Sequence, residues 1–345
     1  MTIVAAVFFC ILAITLVYPS RPSSLSQSFG QIDNESKKSS GAILKLIPVE
    51  RLREFSYVQL QMAMPMRITV WCDSKELAET ACKLAFDRAA ELVMVFSDYD
   101  PKSETRRLTQ RPAGEPTQVS DDLFRVLAFS QTLNARSLGA FDPTASPVIG
   151  LWRTARKSKT MPASEDIQAR LSLVGFDKLQ LADDQSVILL ASGMNFDFGG
   201  IAKGYIGDQV ISVLRENGIK IGCYEAGGDI VLSEAPPGTQ GWTIDIGRND
   251  DGTKKTLELE DCGVSTSGDS QQFVEIGGQR YSHVIDPRTG IGVTTGRTAF
   301  VIAPSGMQSD SLATTGCVLN ETEFQKVLDA YEHTKGWSAP NNTSR

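Results

Sequence analysis

Asn195-Phe-Asp-Phe-Gly-Gly-Ile-Ala-Lys-Gly-Tyr-Ile-Gly-Asp208 lies between two patterns of different period. Ahead of it is a short apolar run, Val187-Ile-Leu-Leu-Ala191, of strand length. Behind it Ile206, Val210, Ile211, Val213 and Leu214 recur at three- and four-residue spacing, as in a helix. A strand entering a helix through two glycines lets backbone approach a ligand closely, and a helix N-terminus favours an anion. Lys203 beside such a turn suits a phosphate, and Asp197 suits a polar ligand edge or a cation. The stretch reads equally as an ordinary Gly-rich loop, because one such turn specifies no ligand.

Upstream of this loop, Met66–Cys72 alternates like a strand, and Glu76–Val95 has helical period with Ser74 as its cap. Ser97–Glu104 is a turn. Asp121–Leu138 reads as a helix closed by Gly139. After it, Pro143 and Pro147 make Ala140-Phe-Asp-Pro-Thr144 and its continuation an extended loop. Pro162–Val174 reads as a helix capped by Ser164, and Phe176–Leu181 pairs with Val187–Ala191 around Asp183 and Asp184. Downstream, Gly222–Leu232 holds a second glycine pair, in Glu225-Ala-Gly-Gly-Asp229, and Gly241–Ile246 alternates as a strand. A hairpin is expected over Gln272–Ile276 and Arg280–Ile285, and a buried strand over Ala299–Ala303. Ser309 is placed as the cap of a helix with Asp310 in its first turn. Strands and helices interleave but hairpins are frequent, so the expected class is α/β (α+β) with mixed rather than purely parallel sheets.

The 345 residues carry a net charge of −7, with 41% hydrophobic and 22% charged residues, an ordinary globular composition without the basic face of a nucleic-acid binder. The six cysteines are scattered without a C-x-x-C pair, and only two histidines exist, which speaks against a zinc or histidine-rich metal site. Residues 1–18 hold an apolar run from Ile3 to Tyr18, short for a bilayer span, that reads as a signal peptide or membrane anchor. Residues 19–54 read as a flexible tether, 55–335 as the folded domain, and 336–345 as a polar tail that frays.

Five motifs occur in order: Ala140-Phe-Asp-Pro-Thr, Asp197-x-Gly-Gly-x-Ala-Lys-Gly, Glu225-Ala-Gly-Gly-Asp, Ser267-Gly-Asp followed by Tyr281-Ser-His-Val-Ile-Asp-Pro-x-Thr-Gly, and Ser309-Asp-x-x-Ala-Thr. As a set, spread over roughly residues 60–330, they resemble the ApbE family of flavin transferases. The resemblance implies two intimately packed α/β lobes with FAD between them. It also implies Mg²⁺-dependent transfer of the FMN half of FAD to a threonine of an acceptor flavoprotein, such as a subunit of a membrane redox complex, with release of AMP. Location outside the cytoplasm, secreted or membrane-anchored, is implied as well and agrees with the apolar run.

Matched residue by residue, the resemblance points to Gly200, Asp310 and Thr314 for Mg²⁺. Asp310 and Thr314 are four apart, on one face of a helix. It points to Ala140, Phe141, Asp142, Asp197 and Lys203 for FAD, with Met64 and Tyr99 near the flavin. Met64-Pro-Met66 stands where the family shows Met-Gly-Thr, so only the first position of that motif matches. His283 lies in the histidine motif and is assigned a base or orienting role toward the acceptor threonine. Taken singly, these residues also have plain readings: turn residues for Asp142 and Tyr99, core for Phe141, surface for Lys203, helix packing for Thr314, and structural hydrogen bonding for His283. Two other functions stay open from sequence: an FAD pyrophosphatase giving FMN and AMP, and a flavin-binding protein without turnover.

Overall fold

The computed structural model describes residues 51–248, 254–268 and 272–340. The apolar segment 1–18, most of the tether, the end of the Ser267-Gly-Asp269 motif and residues 341–345 lie outside the described residues.

The chain opens with β1 (Arg53–Gln61) and β2 (Met64–Cys72), followed by α1 (Lys75–Phe96), α2 (Glu104–Thr109) and the short β3 (Thr117–Gln118). Next come α3 (Asp121–Arg136), α4 (Ser146–Ser158) and α5 (Ser164–Leu171), then the hairpin β4 (Leu179–Leu181) and β5 (Ser186–Leu189). The Gly-rich loop leads to α6 (Ala202–Glu216), β6 (Ile221–Ala226) and β7 (Asp229–Leu232). Four hairpin-forming strands and a long one follow: β8 (Trp242–Arg248), β9 (Lys254–Leu259), β10 (Gly263–Gly268), β11 (Phe273–Ile276) and β12 (Gln279–Ser282). The chain ends through β13 (Ile285–Asp286), β14 (Ile291–Gly292), β15 (Arg297–Ala303), α7 (Gly306–Val318), α8 (Glu321–Leu328) and β16 (Lys335–Pro340).

Seven strands form the main sheet in the order β1-β2-β6-β7-β10-β15-β16, and each of its ladders is antiparallel. The α/β class holds. The expectation of mixed sheets does not, because among the described residues the parallel pairing is a single bridge, Ala145 to Asn195. The period of two along β6 divides its side chains between two cores. Tyr224 and Ala226 enter the larger core with α1, α6 and α7, while Cys223 packs with Trp242 and Ile244 of the β8–β9 hairpin on the other face. A third cluster joins Val148 and Trp152 of α4 to Val274 and Ile285.

Several boundaries differ from the sequence reading. The first described strand begins at Arg53, and the supposed tail from 336 contributes β16, which pairs along β15 with Trp337 stacked on Phe300 at 4.3 Å. A polar strand at a sheet edge carries no apolar alternation to reveal it. The loop expected around Pro147 becomes α4, which starts one residue before that proline at Ser146: proline occupies the first turn, where a missing N–H costs nothing. Ser305, not Ser309, caps α7, its hydroxyl accepting from the Gln308 N–H. Ser309 is buried one turn inside the helix against Ser265. Asp310 is thus beyond the first turn, and its side chain is not explained by the helix dipole.

Candidate active site

The site is assembled where α6 crosses α7. A Cβ on Gly204 would lie 1.9 Å from the Gly306 carbonyl oxygen, so the two helices touch through backbone at this point. The contact brings Asp310 against the start of α6. Its carboxylate accepts from the Gly204 N–H at 3.1 Å and faces Lys203 Nζ at 3.3 Å. Lys203 also reaches Asp229 Oδ2 at 2.9 Å and donates to the Gly199 carbonyl at 3.0 Å. Both carboxylates are about 4% exposed, so two acids share one lysine away from water. Burial and the neighbouring Asp229 charge push the Asp310 carboxyl up to about 7 against the opposing pull of Lys203. Burial lowers the Lys203 ammonium, but the two carboxylates outweigh it and hold the lysine charged.

Gly200 and Thr314 close the same corner. A Cβ on Gly200 would stand 2.7 Å from Thr314 Oγ1, so only glycine lets this hydroxyl meet the loop backbone. At the start of β2, the Met64 sulfur stands 2.9 Å from where a Cβ of Gly227 would project, and the Lys203 stem stands 3.8 Å from the same point. Asp310, Thr314, Gly200 and Lys203 are therefore neighbours. Among the described residues no three His, Cys, Asp or Glu side chains form a metal cage. A cation at this corner would instead take a carboxylate, a hydroxyl and a carbonyl, a hard-oxygen set suited to Mg²⁺ with waters retained.

A second cluster holds the other half of the loop. The Asp197 N–H donates to the Pro143 carbonyl at 2.8 Å, which fastens the Ala140–Thr144 turn to the loop. Asp142 organises that turn, accepting from the Thr144 N–H and hydroxyl at 2.8 and 2.6 Å and from the Asn134 amide at 3.2 Å. Burial pushes its carboxyl up to about 6. Ala140 and Phe141 lie in the core. Asp197 accepts from the Gly199 N–H at 2.9 Å and from Arg153 at 2.6 Å, and Arg153 also grips Asp98 at 2.6 Å. Tyr99 is 76% exposed, with the Arg153 guanidinium 4.7 Å from its ring centre.

His283 directly follows β12. Its backbone N–H donates to the Gln272 carbonyl at 2.9 Å and Nδ1 stands 3.0 Å from the same oxygen. Asp286, the neighbour a structural histidine would use, spends its carboxylate on Arg288 at 2.8 Å. The strand is docked on α4: Arg156 donates to the Gln272 amide oxygen at 3.2 Å, and Trp152 Nε1 donates to the Gly290 carbonyl at 2.8 Å.

Four participants were not assigned from sequence. Asp229 stood in a quoted motif without a role. Asp98, Arg153 and Arg156 gave no signal, since each acquires its partner only by tertiary contact. Glu225, also without a role, lies on the sheet face of Cys223, paired with Arg67 at 3.6 Å, and burial pushes it up to about 7.

The ApbE family matches residues 62–336. The chain belongs to the ApbE family. It is 30% identical over 245 residues to an FAD:protein FMN transferase of Haemophilus influenzae, covering 68% of this chain and 71% of that one. The FAD:protein FMN transferase of Treponema pallidum is 28% identical over 291 residues, covering 78% and 80%. The apo form of the Pseudomonas stutzeri flavinyl transferase ApbE superposes with a TM-score of 0.75 at 26% identity, over 84% of this chain and 92% of that one. The flavin transferase ApbE of Vibrio cholerae gives 0.72 at 28% identity, over 83% and 93%. The two solved ApbE structures share the fold over more than four fifths of this chain.

Proposed function

We propose that the protein is an FAD:protein FMN transferase that moves the FMN half of FAD onto a threonine of an acceptor flavoprotein and releases AMP. The observation that carries this reading is the buried trio of Lys203, Asp229 and Asp310 beside Gly200 and Thr314, in a chain of the ApbE family. Breaking a pyrophosphate needs positioning and charge neutralisation more than covalent help from the protein. Mg²⁺ held by the Gly200 carbonyl, Asp310 and Thr314 would supply the neutralisation when bound.

The chain's own residues do the rest. Asp229 and Lys203 hold the Asp310 carboxylate in place. Lys203 stays charged between both acids and ties them to the Gly199 carbonyl of the loop that receives FAD. Asp142 and Asp197 fix the turn and loop that receive FAD, with Ala140 and Phe141 anchoring the turn in the core; Met64 and Tyr99 are the side chains that would meet the flavin. His283 accepts the proton of the acceptor threonine as its oxygen attacks phosphorus, or orients that hydroxyl. The apolar run of residues 3–18 supports export, with the domain tethered to or released from the outer side of a membrane and an acceptor in a membrane redox complex. Among the described residues no helix is long and apolar enough to cross a membrane.

The deciding experiment is mass spectrometry of an acceptor domain after incubation with the full chain, FAD and Mg²⁺. A gain of one FMN on a threonine supports transfer. Free FMN and AMP without a modified acceptor would make the protein a pyrophosphatase, and intact FAD would make it a flavin-binding protein.

A further inference from the structure

We infer that Arg156 is the guanidinium that receives a phosphate oxygen of the dinucleotide, an assignment that rests on the proposed flavin transfer. The argument is one of charge already spent. Lys203 is held by Asp229 and Asp310, and Arg153 by Asp98 and Asp197 at 2.6 Å each. Neither cation is left over for an anion as highly charged as a pyrophosphate. Arg156 differs. Its hydrogen-bond partner is the neutral side-chain oxygen of Gln272 at 3.2 Å, and among the described residues no carboxylate lies within ion-pair distance of it.

Its position suits the task. Arg156 follows Arg153 by three residues on α4, so both guanidiniums lie on one helix face. Asp197 and Tyr99 are close enough to act on its charge. Gln272 joins it to the backbone oxygen that meets His283. Arg156 therefore feels the charge of the loop aspartate and is hydrogen-bonded to the residue that meets the proposed base. It is half-buried, and burial together with the Arg153 charge pulls its own charged form down from the usual arginine range. A phosphate entering there would relieve that repulsion and could be gripped by two parallel N–H donors, which a lysine cannot offer.

The test is FAD affinity by flavin fluorescence titration at low and high salt, on the full chain and on Arg156→Gln and Arg156→Lys, with thermal melting of each protein without ligand. The expected result for Arg156→Gln is FAD binding weakened about tenfold at low salt, the weight of one charge-assisted hydrogen bond, and a smaller loss at high salt. Arg156→Lys should fall between, and the melting temperature should not move. Unchanged affinity in Arg156→Gln would overturn the assignment. So would an equal loss at both salt concentrations, or a loss that tracks a lowered melting temperature, since both mark a packing role. Failure of the unsubstituted protein to bind FAD would instead remove the proposed function, and this inference with it.

Discussion

Two clusters in this protein are built to one formula, a single cation between two carboxylates, and differ in depth. In the inner one Lys203 lies between Asp229 and Asp310, each acid about 4% exposed. In the outer one Arg153 lies between Asp98 and Asp197, with the arginine 29% and the acids 12% and 15% exposed. Water screens the outer trio and leaves it a clamp for the loop and for Tyr99. The inner trio has one negative charge too many in a dry place, a costly arrangement to keep unless a further cation completes it. The same pairing chemistry thus occurs at two depths, and burial decides how strongly its charges act.

The largest expected effect would separate the two. Asp310→Ala should lower FMN transfer at least about a hundredfold, the scale of losing a group that neutralises transition-state charge. Lys203 keeps Asp229 as its partner, so melting should shift only modestly. Transfer near the unsubstituted rate, read from the mass of the acceptor, would end the distinction between the clusters.

Next comes the crossing that sets the inner geometry. Gly204→Ala would place a methyl group against the Gly306 carbonyl and should cost about 3 kcal/mol in denaturant unfolding, as overpacked contacts do. An unchanged midpoint would mean that the helices can separate freely.

Asp208 supports the same seam, its carboxylate accepting from the N–H groups of Gly306 and Met307 at 2.6 and 2.9 Å. Burial raises its carboxyl from 3.8 to about 6 despite those two donors. A raised acid binds its proton more tightly in the folded state, so stability falls as pH climbs from about 4 to 6, by up to about 3 kcal/mol. Asp208→Asn lacks this dependence. Its stability relative to the unsubstituted protein should therefore improve between pH 4 and pH 7, and urea melts at the two pH values would show a flat difference if the assignment were wrong.

The outer cluster should respond less. Arg153→Met leaves Asp98 and Asp197 facing each other at the rim, and about 1–2 kcal/mol of stability should be lost, a partly exposed pair being discounted for solvent. High salt should recover part of it. Tyr99→Phe keeps the ring face over Arg153 and should change transfer less than about twofold. A larger loss would show that the phenol hydroxyl itself meets the flavin.

Local signals reached a definite limit. Helices α1, α3 and α6 were legible because each repeats apolar residues at helical spacing; α1 also carries a start signal, the Ser74 hydroxyl accepting from the Leu77 N–H, and α3 a stop signal, Gly139 at φ 80°. The β11–β12 hairpin was legible through Gly277 and Gly278, which adopt φ of 59° and 78°. Helix α4 and strand β16 were not. A proline can begin a helix as readily as it can end one, and an edge strand needs no apolar face.

By itself the sequence determined the α/β class, the order of the motifs and membership of a flavin-transferase family. It also determined which residue types were available: carboxylates, a lysine and glycines at fixed local spacing. Tertiary structure decided their pairing. Asp310 is 107 residues from Lys203, and Arg153 is 44 from Asp197 and 55 from Asp98. Charge partners at such separations leave no periodicity in the chain, because Coulomb attraction depends on distance in space and burial, and both are set only when α6, α7 and the main sheet have packed.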